Sequence, residues 1–159
     1  MRMSLVITHD ELIFCLQQKY SDLVHGVDFW VGQKMCRDTG EQLEAARIIA
    51  WHVDGQPTDE EVAALIEQHG DAARLHVLGQ RAREERDRRL IAADAMFYKA
   101  MDAGDAAKAQ QVGQYRQALR QVPDQPGFPG DFTWPDIPEA VSDQAPSNAQ
   151  SIETQTSDT

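Results

Sequence analysis

The apolar positions of this chain change rhythm along its length, and each change predicts a new element. Leu12, Phe14, Cys15 and Leu16 suit a short helix that ends near Tyr20. Ahead of them, Thr8-His9-Asp10-Glu11 has the capping-box spacing, in which Glu11 reaches back to the Thr8 amide. Leu5-Val6-Ile7 reads as an extended entry segment. From Val27 the period drops to two, with Val27, Phe29 and Val31 on one side and Trp30 on the other. Arg37-Asp38-Thr39-Gly40 is a turn candidate because Gly40 can take positive φ. Ile48, Ile49, Trp51 and Val53 then return, which predicts a hairpin. The rival is a helix from Glu41 to Trp51, since Glu41-Gln42-Leu43-Glu44-Ala45-Ala46 has high helix propensity.

After Pro57 the rhythm becomes helical. Thr58-Asp59-Glu60-Glu61 is a second capping box, with its acids where the helix dipole favours them. Val62, Leu65 and Ile66 supply one apolar face, and Gly70 predicts a stop. Asp71 is then expected to cap a third helix containing Leu75, Leu78, Ala82, Arg86, Leu90, Ala93 and Phe97. Gly104 breaks that pattern. Asp105 predicts a last helix striped by Val112, Tyr115, Leu119 and Val122, which Pro123 ends. Two long helices with a short join suggest an antiparallel helical hairpin.

The end of the last helix leads into an unusual stretch. YRQALRQVPDQPGFPGDFTWP, residues Tyr115 to Pro135, runs from helix into a proline tract with three aromatic rings. The prolines at 126, 129 and 135 stiffen the backbone, which lowers the entropy lost when Phe128, Phe132 and Trp134 are immobilised. Such a tract either folds back on its own helical hairpin or serves as a rigid ligand for a groove. Beyond it, Val141 to Thr159 is rich in Ser, Thr, Gln and Asp, and a disordered tail is expected. The fold class predicted is α+β. A small α/β unit with a short hairpin occupies residues 1–70, a helical unit with the proline-aromatic tract 71–138, and the tail 139–159.

Composition restricts function more than fold. The 159 residues carry a formal charge of −11, which argues against a nucleic-acid surface built on phosphate neutralisation. Leu5-Val6-Ile7 is too short for a signal segment or a membrane span, so a protein of the cytoplasm without a membrane partner is expected. Cys15 and Cys36 make no disulfide framework and are read as reduced thiols.

Candidate chemistry is sparse. His69 and His76 are seven apart, but the junction expected at Gly70-Asp71 separates them, so no metal site is predicted. Cys36, His52 and Asp54 have the residue types of a nucleophilic triad, but only geometry defines one. No catalytic residue and no cofactor site is assigned. In the run Arg81 to Arg89, acids alternate with arginines and Glu85 lies four before Arg89, which predicts intrahelical pairing on an exposed face.

Arg86-Asp87-x-x-Leu90-x-x-x-Asp94, then Tyr115-Arg116-Gln117-Ala118-Leu119-Arg120, Val122-Pro123, Gln125-Pro126-Gly127-Phe128-Pro129 and Trp134-Pro135 closely resemble the tail assembly chaperone family of tailed bacteriophages. The likeness spans about residues 80 to 138. Tyr20-Ser21-Asp22, Asp28-Phe29, the apolar segment ending at Trp51 and the Pro57-Thr58-x-Glu60-Glu61 helix start resemble the small α/β domain of tail proteins from defective Bacillus prophages. These resemblances imply a non-catalytic assembly factor that binds a phage tail or tail-fibre protein in the host bacterial cytoplasm. The alternative they leave open is a structural component that stays in the virion tail. They imply a protein-binding surface of Arg86, Asp87, Tyr115, Arg116, Leu119, Arg120, Phe128 and Trp134. In the plainer structural reading, Arg86 and Asp87 clamp one helix to the next and Trp134 pins the returning tract. Whether the chain forms a homo-oligomer is left open.

Overall fold

The computed structural model of the protein describes residues 6–138. Helix α1 spans His9–Lys19, strands β1 and β2 span Phe29–Gly32 and Arg47–Trp51, and helices α2 and α3 span Asp59–Asp102 and Ala106–Arg120. A short 3-10 turn, Val122–Asp124, comes directly after α3. The class is α+β, as the alternation of periods predicts. The expectation for residues 139–159 lies outside the described residues.

The Glu11 carboxylate accepts the Thr8 amide hydrogen at 2.9 Å and so starts α1. Leu12, Cys15 and Leu16 are fully buried on its inner face. They meet Phe29 and Val31 of β1, and Leu65 and Ala73 of α2, in one apolar cluster. Along the rim Lys19 reaches Glu61 at 3.0 Å.

β1 and β2 are antiparallel, with Phe29 opposite Trp51 and Val31 opposite Ile48. A bulge between Trp30 and Val31 shifts the register, and the Ile49 side chain folds over Gly32, its Cγ2 only 3.0 Å from where a Cβ would stand. The hairpin therefore forms and the rival helix does not. Burial of Phe29 beneath Trp51, with ring centroids 5.4 Å apart, outweighs the helix propensity of the Glu41–Ala46 run. The expected turn also forms: Gly40 takes φ +71° and donates to the Cys36 carbonyl at 2.9 Å. Val27 departs from the period-two expectation. The Val27 and Asp28 amides both close onto the Val24 carbonyl, so a turn precedes Phe29 and Val27 stays exposed.

One correction is larger. No helix stops at Gly70 and none is capped by Asp71, because α2 runs unbroken through both for 44 residues. Gly70 lowers local propensity by about 1 kcal/mol relative to Ala. Burying Ala73 completely and Val77 nearly so, on the face that Leu65 begins, offsets that cost. Thr58 and Glu61 form both halves of the capping box at its start, at 2.9 and 3.2 Å. At the far end Gly104, with φ +68°, reverses the chain, and the Asp105 side chain accepts the Lys108 amide at 2.9 Å to begin α3. The last stretch of α2 and α3 make the predicted helical pair.

A histidine holds the root of the hairpin. His25 Nε2 accepts the Val31 amide hydrogen at 3.2 Å, and its ring meets the His9 ring edge-on with centroids 5.0 Å apart. Burial, and secondarily the neighbouring His9, hold its pKa below the ordinary 6.5, while Asp10 opposes them. Stability from this group is full above the unfolded value and falls as pH drops through it, because the unfolded chain takes the proton more readily. The melting temperature is accordingly expected to fall between about pH 7 and pH 5.5, with a shallower fall in His25→Gln. Equal slopes in the two proteins would remove His25 from this role.

Candidate functional site

The returning proline tract is an irregular segment fixed by packing and by its own hydrogen bonds. Val112, Tyr115, Leu119 and Val122 are all buried, as their spacing predicts. Ala93 of α2 closes over the first three, and Leu90, Met96, Phe97 and Trp134 pack round them. Pro123 lies inside the 3-10 turn that ends α3. From there Gln125 ties the tract into a loop: its amide nitrogen donates to the Thr133 carbonyl at 2.8 Å, and its amide oxygen accepts from the Thr133 N–H at 2.9 Å. Inside the loop the Gly130 and Asp131 amides converge on the Gly127 carbonyl, at 2.9 and 2.8 Å. Gly127 has φ +84°, and a Cβ there would stand 2.5 Å from the Asp131 oxygen.

The loop folds back on α2, so self-packing is the arrangement the described residues adopt. Pro129 approaches Gly79 so closely that a Cβ at 79 would touch its ring at 3.6 Å. The three aromatic rings form a ladder, with Phe128 and Phe132 centroids 5.2 Å apart and Phe132 and Trp134 5.1 Å apart. Two arginines of α2 cover its ends, Arg83 at 5.3 Å from the Phe128 centroid and Arg89 at 4.3 Å from that of Trp134. Glu85 fixes Arg89 by accepting from its Nε at 2.9 Å, and that hydrogen bond holds the Glu85 carboxyl below its usual range. The spacing of Glu85 and Arg89 predicts this pairing. The use of Arg83 and Arg89 as ring covers was missed. Nothing local signals it, since rings and arginines come from segments about 45 residues apart that meet only in the fold.

The eight candidate residues divide by exposure. Tyr115 and Leu119 are core. Phe128, Trp134, Arg86 and Arg116 are half-buried, while Asp87 and Arg120 are exposed. Arg86 and Asp87 do not clamp helices together. Both Nε and Nη2 of Arg86 donate to Asp87 Oδ1, its chain neighbour, at 2.9 and 2.7 Å. The pair that joins α2 to α3 is Arg116 with Asp94, at 2.7 Å, and Arg116 also lies over the Phe97 ring at 5.2 Å. Beside this, Ala118 and Gln121 of the α3 end and Trp134 to Asp136 of the tract line an open groove of about 410 Å³.

The other candidate groups stay apart. Cys36 lies beyond the Met35–Gln42 rung of the hairpin and His52 beyond the opposite Phe29–Trp51 rung. About 20 Å of extended chain separates them, so the three residues do not meet as a triad. His69 and His76 do share the face of one helix, contrary to the expected junction, but the His76 ring lies against Phe14 at 4.8 Å. Among the described residues no group of three His, Cys, Asp or Glu is placed to hold a metal ion.

The two thiols differ sharply. Burial, then the charge of Glu11, pushes the Cys15 thiol up to about 11, whereas hydrogen bonds from Thr39 lower that of Cys36. Iodoacetamide at neutral pH is expected to modify Cys36 and to spare Cys15 until the protein unfolds. Intact-mass spectrometry against a denaturant series reads this directly, and equal labelling of both under native conditions would refute it.

Fold and surface together define a helical pair clasped by its own C-terminal tract, joined to a small helix-and-hairpin unit. Residues 79–139 match the family model described as phage tail assembly chaperone protein. Residues 12–74 match the model described as XkdW protein. Each match falls on the segment whose motifs carry the corresponding resemblance, and both resemblances hold. No curated protein and no solved structure matches the chain. No helix among the described residues is long and apolar enough to cross a membrane.

Proposed function

We propose that this protein serves phage tail assembly by holding a tail or tail-fibre protein, without catalysis, in the host bacterial cytoplasm. The observation that carries the proposal is the groove beside Trp134, bounded by the end of α3 and the clasped tract, within the segment that matches the tail assembly chaperone model. Trp134 supplies a rigid, half-buried aromatic floor, and the Arg89 guanidinium lies 4.3 Å from its ring centroid. Tryptophan and arginine are among the residues most enriched at the energetic centres of protein interfaces. Arg86, Asp87, Arg116 and Phe128 surround the same clasp, and Tyr115 and Leu119 set its position from beneath. We also place the functional division of the chain near residue 70. The unit 1–70 supplies every buried residue of the first apolar cluster except Ala73, and the unit 71–138 carries the client surface.

The test is co-expression with the neighbouring tail genes and affinity capture of this chain. A tail or fibre protein is expected to copurify from assembling cells. Ala118→Arg, which fills the groove from its α3 side, is expected to weaken capture roughly fivefold or more with little change in melting temperature. Arg116→Ala is a poorer probe, because its ion pair with Asp94 joins the two helices. Failure of every tail protein to copurify would overturn the proposal.

A further inference from the structure

The buried positions of the second half of α2, Ala82, Ala93 and Ala100, lie on one side of that helix. On the opposite side stand Ile91 and Tyr98, at 71% and 67% the two most exposed large apolar residues of the described chain. Seven residues apart, they share one face two turns apart. Exposed Ala95 lies between them, and exposed Arg88 and Asp102 continue the strip at its two ends.

We propose that this strip is a contact between two copies of the chain, packed antiparallel about a two-fold axis at Ala95. The register comes from the charges. Arg88 and Asp102 are each seven positions from Ala95, on either side of it. An antiparallel two-fold therefore brings Arg88 of each copy to Asp102 of the other, once at each end of the contact. Ile91 meets Tyr98 of the other copy. Ala95 meets its own equivalent, and its small side chain lets the helices close. Parallel packing would set Arg88 against Arg88 and Asp102 against Asp102, and like charges reject it. Within one chain Arg88 meets only Glu85, at 3.0 Å and with its side chain 72% exposed, a pairing weak enough to be exchanged. Asp102 forms no ion pair among the described residues. One helical strip is smaller than the ~800 Å² per partner of a standard stable interface, so the dimer dissociates on dilution.

Sedimentation velocity of the full chain over a concentration series tests this independently of any client. The weight-average mass is expected to climb toward twice that of one chain, and Ile91→Glu to abolish the climb with unchanged helical circular dichroism. Arg88→Glu is expected to weaken dimerisation about fivefold and the added Asp102→Arg to restore it. In a Cys36→Ser background, Ala95→Cys is expected to oxidise to a linked dimer, while Glu84→Cys, on the same face but far from the axis, does not. A chain that stays monomeric at every concentration, or an association that survives Ile91→Glu, overturns the proposal.

Discussion

Trp134→Ala is expected to destabilise the protein by about 3 kcal/mol and to lower its melting temperature by roughly 8 °C. The indole is only half-buried, so area alone would predict less. Three contacts add to it. The ring packs against the cluster of Ala93, Val112, Tyr115 and Leu119, stands edge-on to Phe132, and lies under the Arg89 guanidinium at 4.3 Å. Truncation removes all three and leaves Arg89 over a void, still held by Glu85. The damage should therefore exceed that of Arg89→Ala, which exposes the ring but leaves its packing. Thermal unfolding of the two variants decides the matter. A Trp134→Ala protein that melts like the parent would mean that the tract is not clasped in solution.

Gly127→Ala is expected to cost about 2 kcal/mol or more, by a different route. At φ +84° any L side chain is strained, but strain of that kind alone is worth about 1 kcal/mol. What makes Gly127 special is the Asp131 carbonyl 2.5 Å from the place of its missing Cβ. The loop must open to admit a methyl group, which breaks the hydrogen bonds that converge on the Gly127 carbonyl. Gly104 is the natural control, since it too has positive φ, at +68°, but nothing stands within 4 Å of its Cβ position. Urea unfolding should rank Gly127→Ala well below Gly104→Ala in stability. Equal losses would show that backbone conformation, not the close approach, sets the cost.

Features that depend on near neighbours were legible in the sequence. Thr58 with Glu61, Asp105 ahead of α3, the Val112–Val122 stripe and the Glu85–Arg89 pair all form where spacing alone puts them. Even the hairpin was readable, because its period-two residues alternate correctly at Phe29, Trp30 and Val31. The reading failed where a distant surface decides. Gly70-Asp71 carries every local sign of a helix end, but the buried face that begins at Leu65 continues past it to Ala73 and Val77. Arg116 carries no local mark of an interhelical tie, since its partner Asp94 lies on another helix. The grouping of the candidate residues round the clasp was legible. Which of them face solvent was not, because Tyr115 and Leu119 share the helix of Arg120 and only packing separates core from rim.

The uninterrupted passage of α2 through both apolar clusters makes its length a matter of angular phase. Its 44 residues run about 66 Å at 1.5 Å each. Each residue inserted or deleted between Ala73 and Ala93 turns everything beyond it by about 100° and shifts it by about 1.5 Å. A single insertion would swing Ala93 away from Val112 while Ala73 kept its place beside Phe29. Only changes of about seven or eleven residues restore the facing to within roughly 20°. The exposed positions in the middle of this helix can therefore vary in side chain, but its length hardly can, and evolution along it proceeds by substitution or in steps of whole turns.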